Sequence, residues 1–356
     1  MMIKLLLALC VFSFLEVSGQ NDSIIVKNKK EYCNPSLVGM SRAKAFSVGY
    51  ERVFDTEISS TSRDTSIGSS NSVIDRNNRF EIKLKFPMWI KPRLKVIGGF
   101  RYEFQEFVFK DKQNLDYDFY RNISDRHLQS IGLNISVLKP LNEISYFGLH
   151  ATGDLNGDYN SKHLPSSSFI KYSISAVYGW KRCPTKTTGV GIYINYALGR
   201  RSVFPVVIYN NTFSKRWGLE MIFPANARIR YNVSKKTLLF AGYEVEGASY
   251  NLGIDSPPLA KYPTLQLRKS NVKLKLEFEQ EIYDFLWIGI AAGIRQPLGF
   301  NVTERGDKGP AISLTNLRIS EGERLINTRL SAAPYIEFIV FLVPPRKLED
   351  RVLNRE

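Results

Sequence analysis

The chain has 356 residues, of which 44% are hydrophobic and 12% aromatic, and its formal net charge at pH 7 is +15. This composition, with 18 Tyr and 22 Phe, is rich in strand-forming residues and excludes an intrinsically disordered protein. Only three histidines are present and no Gly-x-Ser-x-Gly sequence occurs, so we expect no enzymatic activity, no metal site and no cofactor.

The N-terminus has the pattern of an export signal. Lys4 precedes an apolar run from Leu5 to Leu15, and Val17-Ser18-Gly19 supplies the small residues that signal peptidase reads. We therefore expect a signal peptide at 1–19, cleavage before Gln20 and a periplasmic lead-in segment at 20–44. No later segment reaches the roughly 18 apolar residues of a membrane-spanning helix, which leaves an exported soluble protein or a transmembrane β-barrel.

Alternating apolar and polar residues predict strands along residues 45–343, because successive side chains of a strand point to opposite faces. In Phe80–Ile90, for example, the even-numbered residues are apolar, whereas Lys83 and Lys85 fall on the other face. The predicted strands number about 12. In chain order they are Ala45–Ile58, Phe80–Ile90, Leu94–Phe104, Ile131–Val137, Ile144–Leu155, Phe169–Arg182, Val190–Leu198, Trp217–Val233, Leu239–Val245, Val272–Phe278, Leu286–Ile294 and Leu330–Leu342.

The stretch from Trp217 to Asn251 carries the strongest signal, and we interpret it as one membrane hairpin that turns at 234–236. Every second residue of its first arm is apolar as far as Val233. The arm is therefore long enough for a membrane strand, which requires about 9 to 11 residues. Proline cannot donate to a sheet ladder. We therefore predict that Pro224 forms a bulge or kink above a lipid-facing band at 225–233.

The predicted connections alternate between long polar loops and short turns along the chain. This alternation and an even strand count are typical of a bacterial outer-membrane barrel with both termini in the periplasm. The expected fold is all-β, a transmembrane antiparallel β-barrel at 45–343 with long outer loops and short periplasmic turns, followed by a charged tail at 344–356. A secreted two-sheet sandwich is the alternative, but its strands would usually be shorter.

The same hairpin resembles a known family. Trp217-Gly218-Leu219-Glu220, Pro224-Ala225, the run from Arg228 to Asn232 and the run from Gly242 to Gly247 are similar to the signature of an uncharacterised family of outer-membrane barrels of the Bacteroidetes type. The resemblance implies the barrel fold and the outer-membrane location. Because the family is a domain of unknown function, it supplies no catalytic residues.

Charged residues on the parity opposite the apolar face define a candidate lumen. Such residues line either a water-filled channel of mixed charge or a narrow barrel filled by paired side chains, and the sequence leaves both open. The candidate lumen-lining residues are Glu81, Lys83, Lys85, Arg101, Glu103, Glu220, Arg228, Arg230, Glu244, Glu246, Lys273, Lys275, Glu277 and Glu279.

Cys33 and Cys183 are the cysteines that remain after signal cleavage, in a compartment that oxidises thiols. The predicted topology places both on the periplasmic side, but at opposite sides of the barrel. A disulfide between them requires the lead-in segment to cross the barrel mouth, where it would act as a lid. Two unpaired thiols are the alternative.

The function that these patterns favour is a small channel or uptake pore with a mixed-charge lumen in the bacterial outer membrane. The expected partners are outer-membrane lipid, which basic residues in the short turns would contact, and small polar solutes; nucleic acid is not expected in that compartment. A non-conducting barrel that stiffens the envelope or binds a partner is the alternative. A lipid-acting barrel enzyme that uses His150 is only a minor alternative, because the parity of His150 points its side chain inward, away from lipid.

Overall fold

The protein folds as an antiparallel β-barrel of fourteen strands. The all-β barrel class predicted from the sequence is confirmed, whereas the count of twelve strands is wrong. The computed structural model describes residues 32–111, 115–159, 170–195, 202–254, 257–262, 265–304, 311–312 and 324–346. Its elements are β1 Phe46–Val53, β2 Thr56–Ser62, β3 Ser69–Lys91, β4 Leu94–Phe109, α1 Asp118–Asp125, β5 Leu128–Pro140, β6 Ser145–Gly157, β7 Ile170–Cys183, β8 Lys186–Asn195, β9 Ser202–Thr212, β10 Trp217–Phe223, β11 Asn226–Asn232, β12 Thr237–Leu252, a 3-10 helix at Leu259–Lys261, β13 Leu265–Tyr283, β14 Leu286–Glu304, β15 Ala311–Ile312, β16 Arg324–Leu330 and β17 Ala333–Leu342.

The barrel closes where its first strand meets its last. β1 pairs with β17 from Phe46 opposite Leu342 to Val53 opposite Tyr335. β1 and β2 lie end to end beside β3, and β17 and β16 lie end to end beside β14. Each of these two pairs therefore counts as one strand of the barrel wall. β15 pairs in parallel with the start of β9.

The segment Trp217–Val233 contains two strands rather than one. β10 and β11 form a hairpin in which Trp217 is opposite Tyr231 and Glu220 is opposite Arg228, with Pro224 in the connecting turn. The predicted bulge or kink at Pro224 is therefore wrong. Because each pair joins residues of the same parity, the apolar alternation continues through the turn without a change of phase, and periodicity does not detect it.

β9 accounts for the other missing strand, in a segment interpreted as a loop because of its Arg and Asn residues. Its centre, 203–209, is an apolar run containing Pro205, and such a run has no period of two. Tyr196 and Leu198, predicted at the end of the preceding strand, lie outside the described residues. The signal peptide, the loop around Pro165 and the tail beyond Arg346 also lie outside them.

Large apolar side chains cover the outside of the barrel wall. The exposed fraction is 66% at Leu133 on β5, 68% at Tyr172 on β7 and 68% at Leu276 on β13. Soluble monomers rarely expose contiguous apolar patches larger than a few hundred Å², whereas a transmembrane barrel presents an apolar band to lipid. This outer surface therefore fits a protein that lies in a membrane, and the inward side chains belong to the alternate positions.

The two ends of the barrel differ. Six connections of two to four residues, β3–β4, β5–β6, β7–β8, β9–β10, β11–β12 and β13–β14, lie at one end, which we call the turn end. The loop end lies opposite, and the two-residue β10–β11 turn points towards it. At the loop end, α1 buries Phe119, Tyr120 and Ile123 against residues of β4 and β14, including Phe107 and Phe300, whose rings lie 5.8 Å apart. This loop-end core fills one side of the interior. Neither α1 nor any other helix in the described part of the chain is long and apolar enough to cross a membrane.

Candidate functional site in the barrel interior

Ion pairs cross the barrel interior halfway along its height. Arg79 on β3 lies 3.0 Å from Glu246 on β12, and Lys273 on β13 lies 2.9 Å from the same carboxylate. Glu51 on β1 accepts from Lys273 and lies 3.3 Å from Arg295 on β14 and 3.4 Å from Arg79. We call these five residues the central cluster. It is almost dry, since the side chains of Lys273 and Glu51 are only 1% and 2% exposed.

A second set of contacts crosses the interior beside the central cluster. Lys269 on β13 lies 3.6 Å from Glu103 on β4, and the Tyr250 hydroxyl donates to Glu103 over 3.2 Å. Lys269 also donates to Gln105, the neighbour of Glu103 on the same face. Buried charges of this kind are stable only when paired, because removal from water costs each ion several kcal/mol. The interior between β4, β12 and β13 is therefore filled by these side chains.

A third cluster lies towards the turn end, on β10 to β13, and we call it the turn-end cluster. Glu220 accepts from Arg230 at 2.5 Å and from Arg228 at 2.7 Å. Lys275 lies 2.9 Å from Glu244 and 3.4 Å from Glu277. Arg228 also lies 3.6 Å from Glu277, so the pairs join into one chain of alternating charge across these strands.

Charged residues proposed from the sequence for the lumen alternate along their strands with exposed apolar side chains such as Leu84, Ile229 and Leu274. The structure brings Glu103, Glu246 and Lys273 into the buried contacts above, and pairs Lys83 with Glu81 at 2.8 Å. It adds residues that sequence reasoning missed: Glu51, Arg79, Asp154, Lys269 and Arg295. Arg79, Lys269 and Arg295 have the parity opposite to the apolar residues of their strands and lie one to three residues beyond the predicted strand ends. Longer predicted strands would therefore have included them.

The opposite side of the interior is lined by short polar residues, which we call the hydroxyl wall: Asn134, Ser136, His150, Thr152, Ser173 and Ser175. All six are half-buried, so each reaches solvent. Ser136 and His150 are hydrogen-bonded at 2.8 Å, and Thr152 and Ser173 at 2.6 Å. His150, considered for a lipid-acting enzyme, thus lies inside the barrel.

Two glycines lie opposite polar residues at this wall. A Cβ at Gly99 would lie 2.5 Å from the Asn134 amide, and one at Gly132 would lie 2.0 Å from the Asp154 carboxylate. The neighbouring strand's side chain therefore folds over each glycine instead of pointing to the middle of the barrel. Neither the central cluster nor the turn-end cluster has a member on β5–β7.

The lead-in segment runs along the turn end, and we call residues 32–44 the mouth segment. Tyr32 accepts from Arg93 of the β3–β4 turn at 2.6 Å. The Cys33 amide then donates to Asn142 of the β5–β6 turn, and the Val38 amide donates to Pro184 of the β7–β8 turn. These contacts follow the order of the strands around the barrel.

The second half of the mouth segment continues in the same direction. Gly39 accepts from Asn232, next to the β11–β12 turn, at 3.1 Å, and Ser41 accepts from Arg228 at 3.1 Å. Arg42 donates to the Asp284 carbonyl of the β13–β14 turn at 2.8 Å, and Lys44 lies 2.6 Å from Glu279. Because Arg228 and Glu279 face inward, this half of the segment lies within the barrel mouth.

Gly39 is the position where the mouth segment requires glycine. Its φ is +81°, in the left-handed region that other residues rarely adopt. A Cβ there would also lie 2.9 Å from the Asn232 amide nitrogen, 3.5 Å from Arg230 and 3.7 Å from Thr212. Any larger residue at this position would therefore displace the segment or its neighbours.

Cys33 and Cys183 are both free thiols in the structure. The Cys33 thiol donates to the Ile144 carbonyl at 3.1 Å, and burial raises the pKa of this thiol. Cys183 is exposed at the end of β7, the strand beside β6, and a hydrogen bond with the Thr185 hydroxyl lowers the pKa of its thiol. The mouth segment thus reaches the side of the barrel that carries Cys183. Elsewhere, no group of three potential metal-ligating His, Cys, Asp or Glu residues occurs among the residues that the structure describes.

A family model described as "Domain of unknown function (DUF6268)" matches residues 59–308. No curated protein matches the chain. Among solved structures, a FadL homologue of Pseudomonas aeruginosa is similar with a TM-score of 0.41 and 9% identity, covering 84% of this chain and 90% of that one. An outer-membrane channel from Pseudomonas putida F1 has a TM-score of 0.37 and 11% identity, covering 89% and 100%. The toluene transporter TodX of P. putida has a TM-score of 0.33 and 9% identity, covering 84% and 89%.

Proposed function

Because the chain belongs to this family of unknown function, its role rests on its own geometry, and we propose that it is an outer-membrane channel of narrow cross-section for small polar solutes. The single observation that carries the proposal is the asymmetry of the interior. Charged side chains bridge and fill the interior next to β1, β3, β4 and β10–β14, whereas short polar residues that reach solvent line the interior next to β5–β7. Solute would move along the hydroxyl wall.

The orientation follows from the connections. The turn end faces the periplasm and the loop end faces outward, as in barrels with short periplasmic turns. Export by a signal peptide at 1–19, cleaved before Gln20, belongs to the same proposal. Basic residues of the turns, such as Lys91, whose ammonium lies 4.6 Å from the Trp89 ring centre, would then contact anionic lipid headgroups at the inner leaflet.

The mouth segment supplies a way to restrict flow. Its second half lies within the mouth and is held to both the wall and the turns, so it narrows the periplasmic opening. We propose that removing or displacing it enlarges the pore. The proposed Cys33–Cys183 disulfide would fix it in place.

A non-conducting barrel is the second candidate, and a specific observation favours it. The central cluster and the loop-end core fill much of the interior, which is what a barrel that only stiffens the membrane requires. The purified protein in a planar lipid bilayer distinguishes the two. We expect small, discrete conductance steps that increase when residues 32–44 are deleted; silence of both proteins would favour the non-conducting barrel.

A further inference from the structure

Lys85 differs from the other lysines that line the interior. It lies on β3 between Leu84 and Phe86, whose outward side chains are 41% and 43% exposed, so the Lys85 side chain points into the barrel. Lys83, on the same face, is paired with Glu81, and Lys275 with Glu244. No carboxylate in the described part of the chain lies within salt-bridge distance of the Lys85 ammonium. The charged groups that act on it most are two other cations, Lys83 and Lys44.

The surroundings of Lys85 are otherwise neutral and polar. Along one row of the sheet, Lys85 is opposite Gly99, Gly99 is opposite Asn134, Asn134 is opposite Thr152 and Thr152 is opposite Ser173. Gly99 has no side chain, so nothing on β4 separates the lysine from the hydroxyl wall. The wall offers amide and hydroxyl donors, and Lys85 offers a full positive charge.

Charge balance makes this place unusual in the interior. The central cluster and its neighbours contain equal numbers of cations and carboxylates: Arg79, Lys269, Lys273 and Arg295 against Glu51, Glu103, Glu246 and Glu337. The turn-end cluster, counted with Lys44, is balanced in the same way: Lys44, Arg228, Arg230 and Lys275 against Glu220, Glu244, Glu277 and Glu279. Lys85 adds a positive charge that no carboxylate in the described part of the chain matches, beside the hydroxyl wall.

From this arrangement we propose that Lys85 and the hydroxyl wall form a binding site for an oxyanion of a permeating solute, such as a carboxylate or a phosphate group. An ammonium with three donors and adjacent hydroxyl and amide groups is chemically suited to such an anion. The inference rests on the proposed channel and adds that the channel selects anions. The Lys83 ammonium and the Arg101 guanidinium remain committed to Glu81 and Asp154, the latter at 3.7 Å, so the unmatched charge is local to Lys85.

Selectivity is tested by the reversal potential of the purified protein in a planar bilayer under a KCl gradient. We expect the wild-type channel to pass chloride at least twice as readily as potassium. Lys85→Gln should lower this ratio at least twofold and Lys85→Glu should bring it below one. Lys91→Gln, on the same strand but exposed at the turn end, is the matched control and should leave the ratio unchanged.

A wild-type ratio near one, or equal ratios in wild type and Lys85→Gln at unchanged conductance, would overturn the anion site while leaving the channel in place. Absence of conductance in every protein would instead contradict the channel. In that case binding of inorganic phosphate to the detergent-solubilised protein still tests the site by calorimetry. Saturable binding that is lost in Lys85→Gln and kept in Lys91→Gln supports it, and binding that is identical in wild type and Lys85→Gln refutes it.

Discussion

The guanidinium of Arg79 lies 3.0 Å from the carboxylate of Glu246, although β3 and β12 are separated in the barrel wall by β1, β17, β14 and β13. The contact therefore spans the interior rather than following the wall. Glu51 and Lys273 join it from strands in between, and the resulting central cluster connects strands that are not neighbours in the wall. Its members lie on β1, β3 and β12–β14, away from the hydroxyl wall on β5–β7.

Loss of Arg79 should destabilise the barrel strongly. Arg79→Ala leaves Glu51 and Glu246 buried with one cation fewer, and breaking a buried pair in this way costs about 3–5 kcal/mol. The exposed pair Lys110–Asp55, 3.2 Å apart near the loop end, is the matched control, because Lys110→Ala should cost about 0–1 kcal/mol. Denaturant unfolding from lipid vesicles measures both free energies. Equal costs would show that the central cluster is hydrated.

The apolar outer surface predicts where a charge is not tolerated. Leu274 is 56% exposed on the outer face of β13, so Leu274→Arg should reduce the free energy of unfolding by about 2–4 kcal/mol if that face meets lipid near the bilayer centre. Ser175→Arg, on the hydroxyl wall, should cost less because its side chain points into water. The same unfolding experiment compares them, and an equal or larger cost for Ser175→Arg would contradict the assignment of faces.

Displacement of the mouth segment should enlarge the pore. Gly39→Val combines a left-handed backbone with a collision at Asn232, so we expect larger conductance steps and faster proteolysis of residues 32–44. Gly68→Val is a matched control, since Gly68 also has a positive φ of +77° but no atom within 4 Å of its missing Cβ. Both changes carry about 1–2 kcal/mol of backbone strain. A similar gain in conductance at Gly68 would attribute the effect to strain alone.

The two thiols should react at different rates. The thiolate is the reactive form, and burial raises the pKa of Cys33 while hydrogen bonding lowers that of Cys183. At pH 7 a water-soluble maleimide should therefore modify Cys183 first, and the difference should narrow as pH rises towards the raised pKa of Cys33. Mass spectrometry of each peptide over time gives both rates; faster labelling of Cys33 at pH 7 would contradict the placement of the mouth segment.

Protein taken directly from the envelope answers the separate question of the disulfide. Peptide mapping without reductant should yield a linked Cys33–Cys183 peptide if the compartment oxidises the pair. In that case Cys33→Ala should increase conductance, because it releases the mouth segment. Two free thiols in the envelope would end this part of the proposal.

The sequence predicted the barrel because side-chain alternation is a local property. Leu274 and Leu276 are outward as their parity predicts. The hairpin at Pro224 was missed because residues of the same parity face each other across it, and β9 was missed because a continuous apolar run has no alternation. The cross-lumen partners of Arg79 and Lys273 depend on strand number, stagger and barrel width, and none of these is encoded within a single strand.

The packing of the hydroxyl wall could not be predicted for the same reason. Asn134 and Asp154 lie over Gly99 and Gly132 only because these glycines are opposite them on neighbouring strands, which is a matter of register. Likewise, the path of the mouth segment follows from the positions of successive turns around the rim, rather than from its own residues.

Substituted-cysteine block of single channels tests the proposed solute path most directly. In a background of Cys33→Ser and Cys183→Ser, the adjacent variants Ser175→Cys and Ile174→Cys place a thiol on the hydroxyl wall and on the outer apolar face, where Ile174 is 43% exposed. A bulky water-soluble thiosulfonate should reduce conductance at least twofold in Ser175→Cys and leave Ile174→Cys unchanged. Unaltered current in modified Ser175→Cys, or no current before modification, would contradict a channel along this wall.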